Sequence, residues 1–324
     1  MASSSALAVL VVAFNRADRL TELFDKLPRE QISAIYVALD APRSGSLKDV
    51  SACEAVRQVV NNAPEDVPIF KLQHLRNLGA GRAVPAAITW FFSHEEEGII
   101  LEDDCQPGPD FFQFSAEMLS TYRDQPTVMM VSGNNHNFQT QRPPDTYQFS
   151  RHGHIWGWAT WRRAWNLYDH SMAAWPSLRR TTWLREVCGG HRDAERYWRW
   201  VFDETRKDKF DAWDYRWTFS MWREGGVSIV PARNLVENSG FDDRSTHTTT
   251  APDWYQSIPR GDLQFPLRHP TSIETDDEAD RWTDIHIFST NLKGLARMKQ
   301  AVMVLLSRFN LDRPAIRAIT RFRS

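Results

Sequence analysis

Three carboxylates stand in a row at the end of an apolar run: Glu102, Asp103 and Asp104 in GIILEDDCQPGPDFFQF, residues 98–114. Neighbouring acids at the end of a buried strand repel one another, so the run calls for a compensating cation. A hard divalent ion, Mg²⁺ or Mn²⁺, takes oxygen ligands, often only one or two from the protein and the rest from phosphate and water. In a strand running through residue 104, Glu102 and Asp104 would point to one side and Asp103 to the other. One carboxylate can then hold metal while another meets a sugar hydroxyl. A second feature is RNLGAGRA, residues 76–83. It has neither P-loop nor GxGxxG spacing, but Gly79 and Gly81 let backbone approach a ligand and Arg82 suits a phosphate.

These side chains need a scaffold that gathers them. ALAVLVVAF (6–14) is a β-branched apolar run, which fits a parallel strand buried on both faces. Residues 34–42, 67–75 and 98–104 read as three more strands. Between them, 16–28, 46–63 and 81–95 read as helices; the first places Leu20, Leu23, Phe24 and Leu27 at i, i+3, i+4 and i+7 before Pro28. Fourfold strand–helix alternation predicts an open α/β sheet, whose ligands bind beyond the carboxyl ends of the strands. Asn15, Arg16, Asp40, the Gly-rich loop and Glu102–Asp104 all fall there. Further along, 111–124 reads as a helix, 127–135 as a strand and 155–169 as a turn followed by a helix. Residues 195–208 and 212–226 read as helices, and 227–241 as a strand and a loop.

Composition narrows the class. The 324 residues are 42% hydrophobic, enough for one large domain or two small ones. A net charge of −2 gives no basic field for nucleic acid. Three widely spaced cysteines, Cys53, Cys105 and Cys188, fit reduced thiols in a cytosolic protein. Fourteen tryptophans imply either a large aromatic core or stacking faces for sugars. No window reaches transmembrane length.

IILEDDCQPGPDFFQF resembles the metal-binding segment of GT-A fold inverting glycosyltransferases, most of all the N-acetylglucosaminyltransferase I type. VLVVAFNRADRLTELFDKL, IYVALDA, HIWGWATWRRAW and AWDYRW resemble other segments of that type, while RNLGAGRAVPAAI is similar to the Asn-Leu-Gly loop of bacterial family 2 enzymes of surface-polysaccharide assembly. The resemblance covers about residues 6–248. It implies a GT-A open, mostly parallel twisted sheet flanked by helices, to which the apolar spacing of the last residues adds a C-terminal helical extension. It implies a domain over 1–256, with a donor half of about 1–135 and an acceptor half of about 136–256. Arg16 and Asp40 would contact the nucleotide base, and Glu102 and Asp103 the donor's ribose and sugar. Asp104 would ligate Mn²⁺ or Mg²⁺ bridging the diphosphate, with His247 as a second ligand and Arg82 assisting. Asp214 would be the catalytic base, desolvated by Trp213 and Trp217; Asp211 is the alternative base, and a surface acid paired to Arg216 or Arg223 is the non-catalytic reading of Asp214. Trp158 and Trp161, with Trp156, would offer stacking faces to the acceptor, core packing being the rival.

The implied reaction is metal-dependent inverting transfer from a nucleotide-diphosphate sugar to a glycan or lipid-linked acceptor. A sugar nucleotidyltransferase is one rival, although AFNRAD lacks the glycine-rich stretch it would need after the first strand. A non-catalytic Trp-rich carbohydrate-binding protein is the other. Residues 257–284 read as a polar loop. Residues 285–324 read as a basic amphipathic helical tail, which either packs on the main domain or makes peripheral contact with an anionic membrane. The expected place is the cytoplasm, at the inner face of the plasma membrane if the tail binds lipid.

Overall fold

A computed structural model describes residues 6–136, 146–240 and 261–291. The first half alternates as the apolar runs predict: β1 (Leu7–Ala13), α1 (Ala17–Lys26), β2 (Ile32–Leu39), α2 (Leu47–Asn61), β3 (Ile69–Gln73), α3 (Ala80–His94) and β4 (Glu97–Glu102). Then come β5 (Cys105–Pro107), α4 (Asp110–Thr121), β6 (Val128–Ser132), β7 (Tyr147–Ser150) and β8 (Trp158–Trp161). Three short helices follow, α5 (Arg162–Trp165), α6 (Trp175–Leu178) and α7 (Trp183–Val187), and then α8 (Arg192–Arg206), α9 (Asp214–Arg223), β9 (Val227–Pro231), β10 (Val236–Asn238) and α10 (Asp277–His286).

Eight strands form one sheet in the order β3-β2-β1-β4-β8-β6-β9-β7, and β5 pairs with β10 in a separate two-stranded ribbon. The ladders β3–β2, β2–β1, β1–β4 and β6–β9 are parallel. β8 runs antiparallel between β4 and β6. This is the open, mostly parallel sheet with helical flanks that the GT-A resemblance implies. Period-two alternation divides its side chains between two cores. Val9, Val11, Ile35, Val37, Ile99 and Leu101 join α1, α2 and α4 on one face. Leu10, Tyr36 and Ile100 join α3, α8 and α9 on the other.

Three readings of the sequence give way. Residues 158–161 are a strand, where the pattern predicts a turn and helix. The segment is buried on both faces and so carries no alternation to betray it. β4 ends at Glu102, and Asp103 and Asp104 occupy the turn into β5, so the three acids do not alternate along a strand. The polar segment 257–284 runs into α10, which begins at Asp277 and is capped by Asp276, whose side chain accepts from the amides of Glu278 and Ala279. Its Asp280 and Asp284 are buried, at 1% and 0% exposure, because Arg151 reaches both carboxylates. The basic tail from residue 292 onward lies outside the described residues. Among the described residues, no helix is long and apolar enough to cross a membrane.

Candidate active site

The parallel ladders bring the ends of β1, β2 and β4 to one sheet edge. There Arg16, in the loop after β1, donates from Nη1 to Asp104 Oδ2 at 2.6 Å and to Asp103 Oδ1 at 3.4 Å. The Phe14 amide donates to Asp103 Oδ2 at 3.1 Å, and the Asp103 amide to the Val12 carbonyl at 3.0 Å. Asp103 is thereby stitched to β1 and buried. Asp104 is half-buried. Its carbonyl accepts from the amide of Ser239, the residue after β10, at 2.8 Å, so the β5–β10 ribbon fixes the turn from below.

Glu102 pairs in register with Val12 and continues the face of Ile100, toward the layer holding α9. Asp214, the first residue of α9, is close enough for its charge to act on Glu102. Burial, and then the charges of Asp104, Asp103 and Asp214, push Glu102 well above the ordinary carboxylate range, with Arg16 pulling the other way. Burial and Asp104 likewise raise Asp103. Arg16 thus pairs with Asp103 and Asp104, while Glu102 feels the charges of both and of Asp214. Asp214 also adds its charge against ionisation of Tyr168, Tyr197 and Tyr215 on its other side. The two arginines that sequence offers as its surface partners are engaged elsewhere: Arg216 with Asp208, and Arg223 with Glu224 and Asp169.

Asp40 does a different job from the one the resemblance assigns. Its Oδ1 accepts from the amides of Ala41 and Leu78 at 2.9 and 3.0 Å; its Oδ2 accepts from the Gly79 amide and Asn77 Nδ2 at 3.1 and 3.0 Å. A carboxylate has about four lone-pair sites. All are taken by its own strand end and by the Gly-rich loop, which leaves none for a nucleotide base. Arg82 follows on the first turn of α3 with its side chain exposed. It lies near His170, whose pKa is lowered first by burial and then by Arg216 and Arg82 among the charges around it.

Trp158 and Trp161 are 1% exposed, which removes them as stacking faces for an acceptor. Trp158 packs among Trp165, Trp213 and Trp217, and the Trp161 indole donates to the Leu119 carbonyl at 3.1 Å. Both belong to the core because β8 is an interior strand. Trp156, two residues before β8, is half-buried beside His136. His247 lies outside the described residues. Sequence reasoning missed Asp49, which is buried at the start of α2. It accepts from Asn15 Nδ2 at 3.1 Å and from Arg43 Nε and Nη2 at 2.5 and 2.8 Å, while Arg43 lies 5.6 Å over the Phe14 ring. The signal available was the polar run APRSGSLKD after the second strand, which reads as a plain turn and helix start.

The donor set suits a hard cation held by one protein carboxylate and by substrate oxygens. Asp104 is half-buried at the sheet edge and is faced by Gly240, where any Cβ would overlap its carboxylate. The glycine backbone packs close against Asp104, an approach that a residue with a side chain could not make. Among the described residues, no group of three or more His, Cys, Asp and Glu is drawn together as a metal cage.

The chain resembles part of a glycosyltransferase. A stretch of 98 residues is 34% identical to the alpha-1,3-mannosyl-glycoprotein 2-beta-N-acetylglucosaminyltransferase of Arabidopsis thaliana. The match takes in 29% of this chain and 21% of that protein, so the chain spans about a fifth of its relative. No family model matches the sequence. Among solved structures, HddC from Yersinia pseudotuberculosis aligns over 51% of this chain and 80% of its own at 12% identity, with a TM-score of 0.32. Mannose-1-phosphate geranyltransferase from Thermus thermophilus aligns over 70% and 73% at 12% identity, with a TM-score of 0.30. Scores this low carry no argument about function, and the fold rests on the chain's own strand order.

Proposed function

We propose that the chain is an inverting glycosyltransferase that moves a sugar from a nucleotide-diphosphate donor to a hydroxyl of a glycan or lipid-linked acceptor. The observation that carries the reading is the pairing of Arg16 with Asp103 and Asp104 at the end of β4, with Asp214 at the start of α9 near enough for its charge to act on Glu102. The short stretch of identity to an N-acetylglucosaminyltransferase supports the same class.

In this reading Arg16 contacts the donor's nucleotide base, and Glu102 and Asp103 hold its ribose and sugar by hydrogen bonds. Asp104 would ligate Mn²⁺ or Mg²⁺, which when bound neutralises charge on the leaving diphosphate as a Lewis acid. Arg82 adds a second positive group toward the phosphates. Asp214 takes the proton of the acceptor hydroxyl as that oxygen attacks the anomeric carbon from the face opposite the leaving group, the geometry that inverts configuration. The half-buried position of Asp214, with Trp213 and Trp217 packed behind it, limits water around the base.

A thermal-shift panel of nucleotides and nucleotide sugars, with and without Mn²⁺, tests the reading, because a ligand that binds the folded state raises its melting temperature. One donor is expected to stand out and to depend on Mn²⁺. A flat panel, with no metal-dependent turnover of any nucleotide sugar, overturns the proposal. Asp214→Asn is expected to keep the donor-induced shift while kcat falls about 10²-fold, at the low end for loss of a general base. Unchanged turnover in that variant would remove Asp214 from the mechanism.

A further inference from the structure

The turn that leads into α9 does more than present Asp214. Three residues before it, Asp211 reaches across 130 positions of sequence and accepts the Gly81 amide on Oδ1 at 2.8 Å. Gly81 is in the first turn of α3, and Gly79, its N-cap, has φ +73° and supplies no capping side chain. A Cβ placed on Gly79 would lie 2.7 Å from Asp211 Oδ2, and one on Gly81 would lie 2.6 Å from Oδ1. Both glycines of the Gly-rich loop are therefore pressed against one carboxylate. The role is that of an N-cap, supplied by a distant segment where the loop's own residues cannot supply it. The negative charge also lies at the favourable end of the α3 dipole.

The supports on either side of this contact are firm. Asp40 holds the other end of the loop through the Leu78 and Gly79 amides. Arg216 is 2% exposed and holds the Asp211 segment. It donates to the carbonyls of Ala212 and Thr205 at 2.8 and 2.9 Å, to Asp208 at 2.5 Å, and to the His170 carbonyl at 2.8 Å. The loop is thus bracketed by two carboxylates, one from β2 and one from the segment that starts α9. Arg82 comes directly after Gly81, so fixing the Gly81 peptide fixes the direction in which Arg82 leaves the helix.

We infer that Asp211 is a positioning residue: it couples the Gly-rich loop to the Asp214 segment and aims Arg82 at the donor's phosphates. It is not the alternative base. The inference rests on the glycosyltransferase reading, and its tests separate the two. Amide exchange at Gly81 needs no donor. Asp211→Ala is expected to lose the protection of that amide while the melting temperature stays near that of wild type; unchanged protection overturns the contact itself.

With donor and acceptor supplied, Asp211→Ala is expected to raise the donor KM about tenfold, the loss of one hydrogen bond to a charged group, with kcat within about threefold of wild type. Asp211→Asn keeps an acceptor oxygen and is expected to restore KM to within about threefold. Gly81→Ala, whose new Cβ would displace the carboxylate, is expected to reproduce the Asp211→Ala defect. The double variant Asp211→Ala/Arg82→Ala is expected to be no worse than Arg82→Ala alone, since residues acting through one another are not additive. A wild-type donor KM in Asp211→Ala, a failure of Asp211→Asn to recover it, or a double variant equal to the product of the singles overturns the assignment. A wild-type protein that turns over no nucleotide sugar would instead sink the glycosyltransferase reading and leave the Gly81 result standing.

Discussion

Two acidic clusters among the described residues differ in how their charge is balanced. Under α10, Asp280 and Asp284 share Arg151. Asp280 also accepts from Ser150 Oγ at 2.5 Å and from the Arg151 amide at 3.1 Å, and Asp284 from the Trp198 indole at 3.3 Å. Burial is the largest influence on both acids: at Asp284 the hydrogen bonds and charges of His152, Arg151 and Trp198 outweigh it and hold the group down at about 2, whereas at Asp280 burial prevails over His152, Arg151 and Ser150 and raises it. At the sheet edge, Arg16 is the cation that favours ionised Glu102 and Asp103, and it is outweighed by burial and neighbouring carboxylates, which push both upward. The first cluster is closed within the chain. At the second, burial and neighbouring carboxylates prevail over Arg16 at both Glu102 and Asp103, so a cation from outside would favour their ionised forms. Burial of acids alone says little; the balance of partners tells structure from function.

The comparison can be broken at several points. Asp104→Ala should cost the most in activity, about 10³- to 10⁴-fold in kcat/KM if it removes metal stabilisation worth several kcal/mol, with little change in melting temperature. Retained activity and retained metal dependence would make the edge cluster structural after all. Arg151→Ala should cost the most in stability, about 3–5 kcal/mol in urea unfolding, because it leaves two carboxylates buried without their guanidinium. A loss under about 1 kcal/mol would mean that water reaches α10. Arg16→Ala should cost less, about 2 kcal/mol, and added Mn²⁺ should recover much of the lost melting temperature there while recovering none in Arg151→Ala. Equal rescue, or none in either, would erase the distinction between the two clusters.

The smallest effect concerns Asp49, which Asn15 ties to the loop after β1. The Arg43 hydrogen bond, opposed by burial, holds its pKa at about 2. An unfolded aspartate titrates near 3.9, so the stabilisation from Asp49 is complete above about pH 4 and is lost as pH falls toward 2. Arg43 is largely exposed, so solvent screening keeps the contribution under about 1 kcal/mol. Asp49→Asn should flatten the acid limb of the unfolding midpoint between about pH 4 and 2, leaving the midpoint's variation above about pH 5 as in wild type. An unchanged acid limb would show that Arg43 and Asp49 are not paired in solution.

The β3-β2-β1-β4 side of the sheet was legible in the sequence because its information is local. A β-branched run, an amphipathic helix and a carboxylate at a strand end each announce themselves within about fifteen residues, and the rule that ligands gather at carboxyl edges does the assembly. What stayed hidden depends on distance. Asp280 and Asp284 look like solvated acids until Arg151 is placed against them. Asp40 looks like a ligand group until the Leu78 and Gly79 amides arrive to use it. Asp211 resembles a spare base until Gly81 is seen beside it. Trp158 and Trp161 fail as acceptor contacts for the same reason: their strand is recognisable as interior only once β4 and β6 stand on either side of it.

That strand, β8, has a consequence for how such a protein can be altered. Everything in the sheet on the β4 side of it, β3-β2-β1-β4, comes from one uninterrupted length of chain, residues 7–102. Only the short ladder from Glu97–Ile100 to Trp158–Trp161 joins that block to the rest of the sheet. The block is a cassette with a single sheet seam. Exchanging it for the same region of another protein would need a cut after β4 and the re-matching of that ladder, of the contacts of Val12, Phe14 and Arg16 with Asp103 and Asp104, and of the Gly81–Asp211 contact on the helical side.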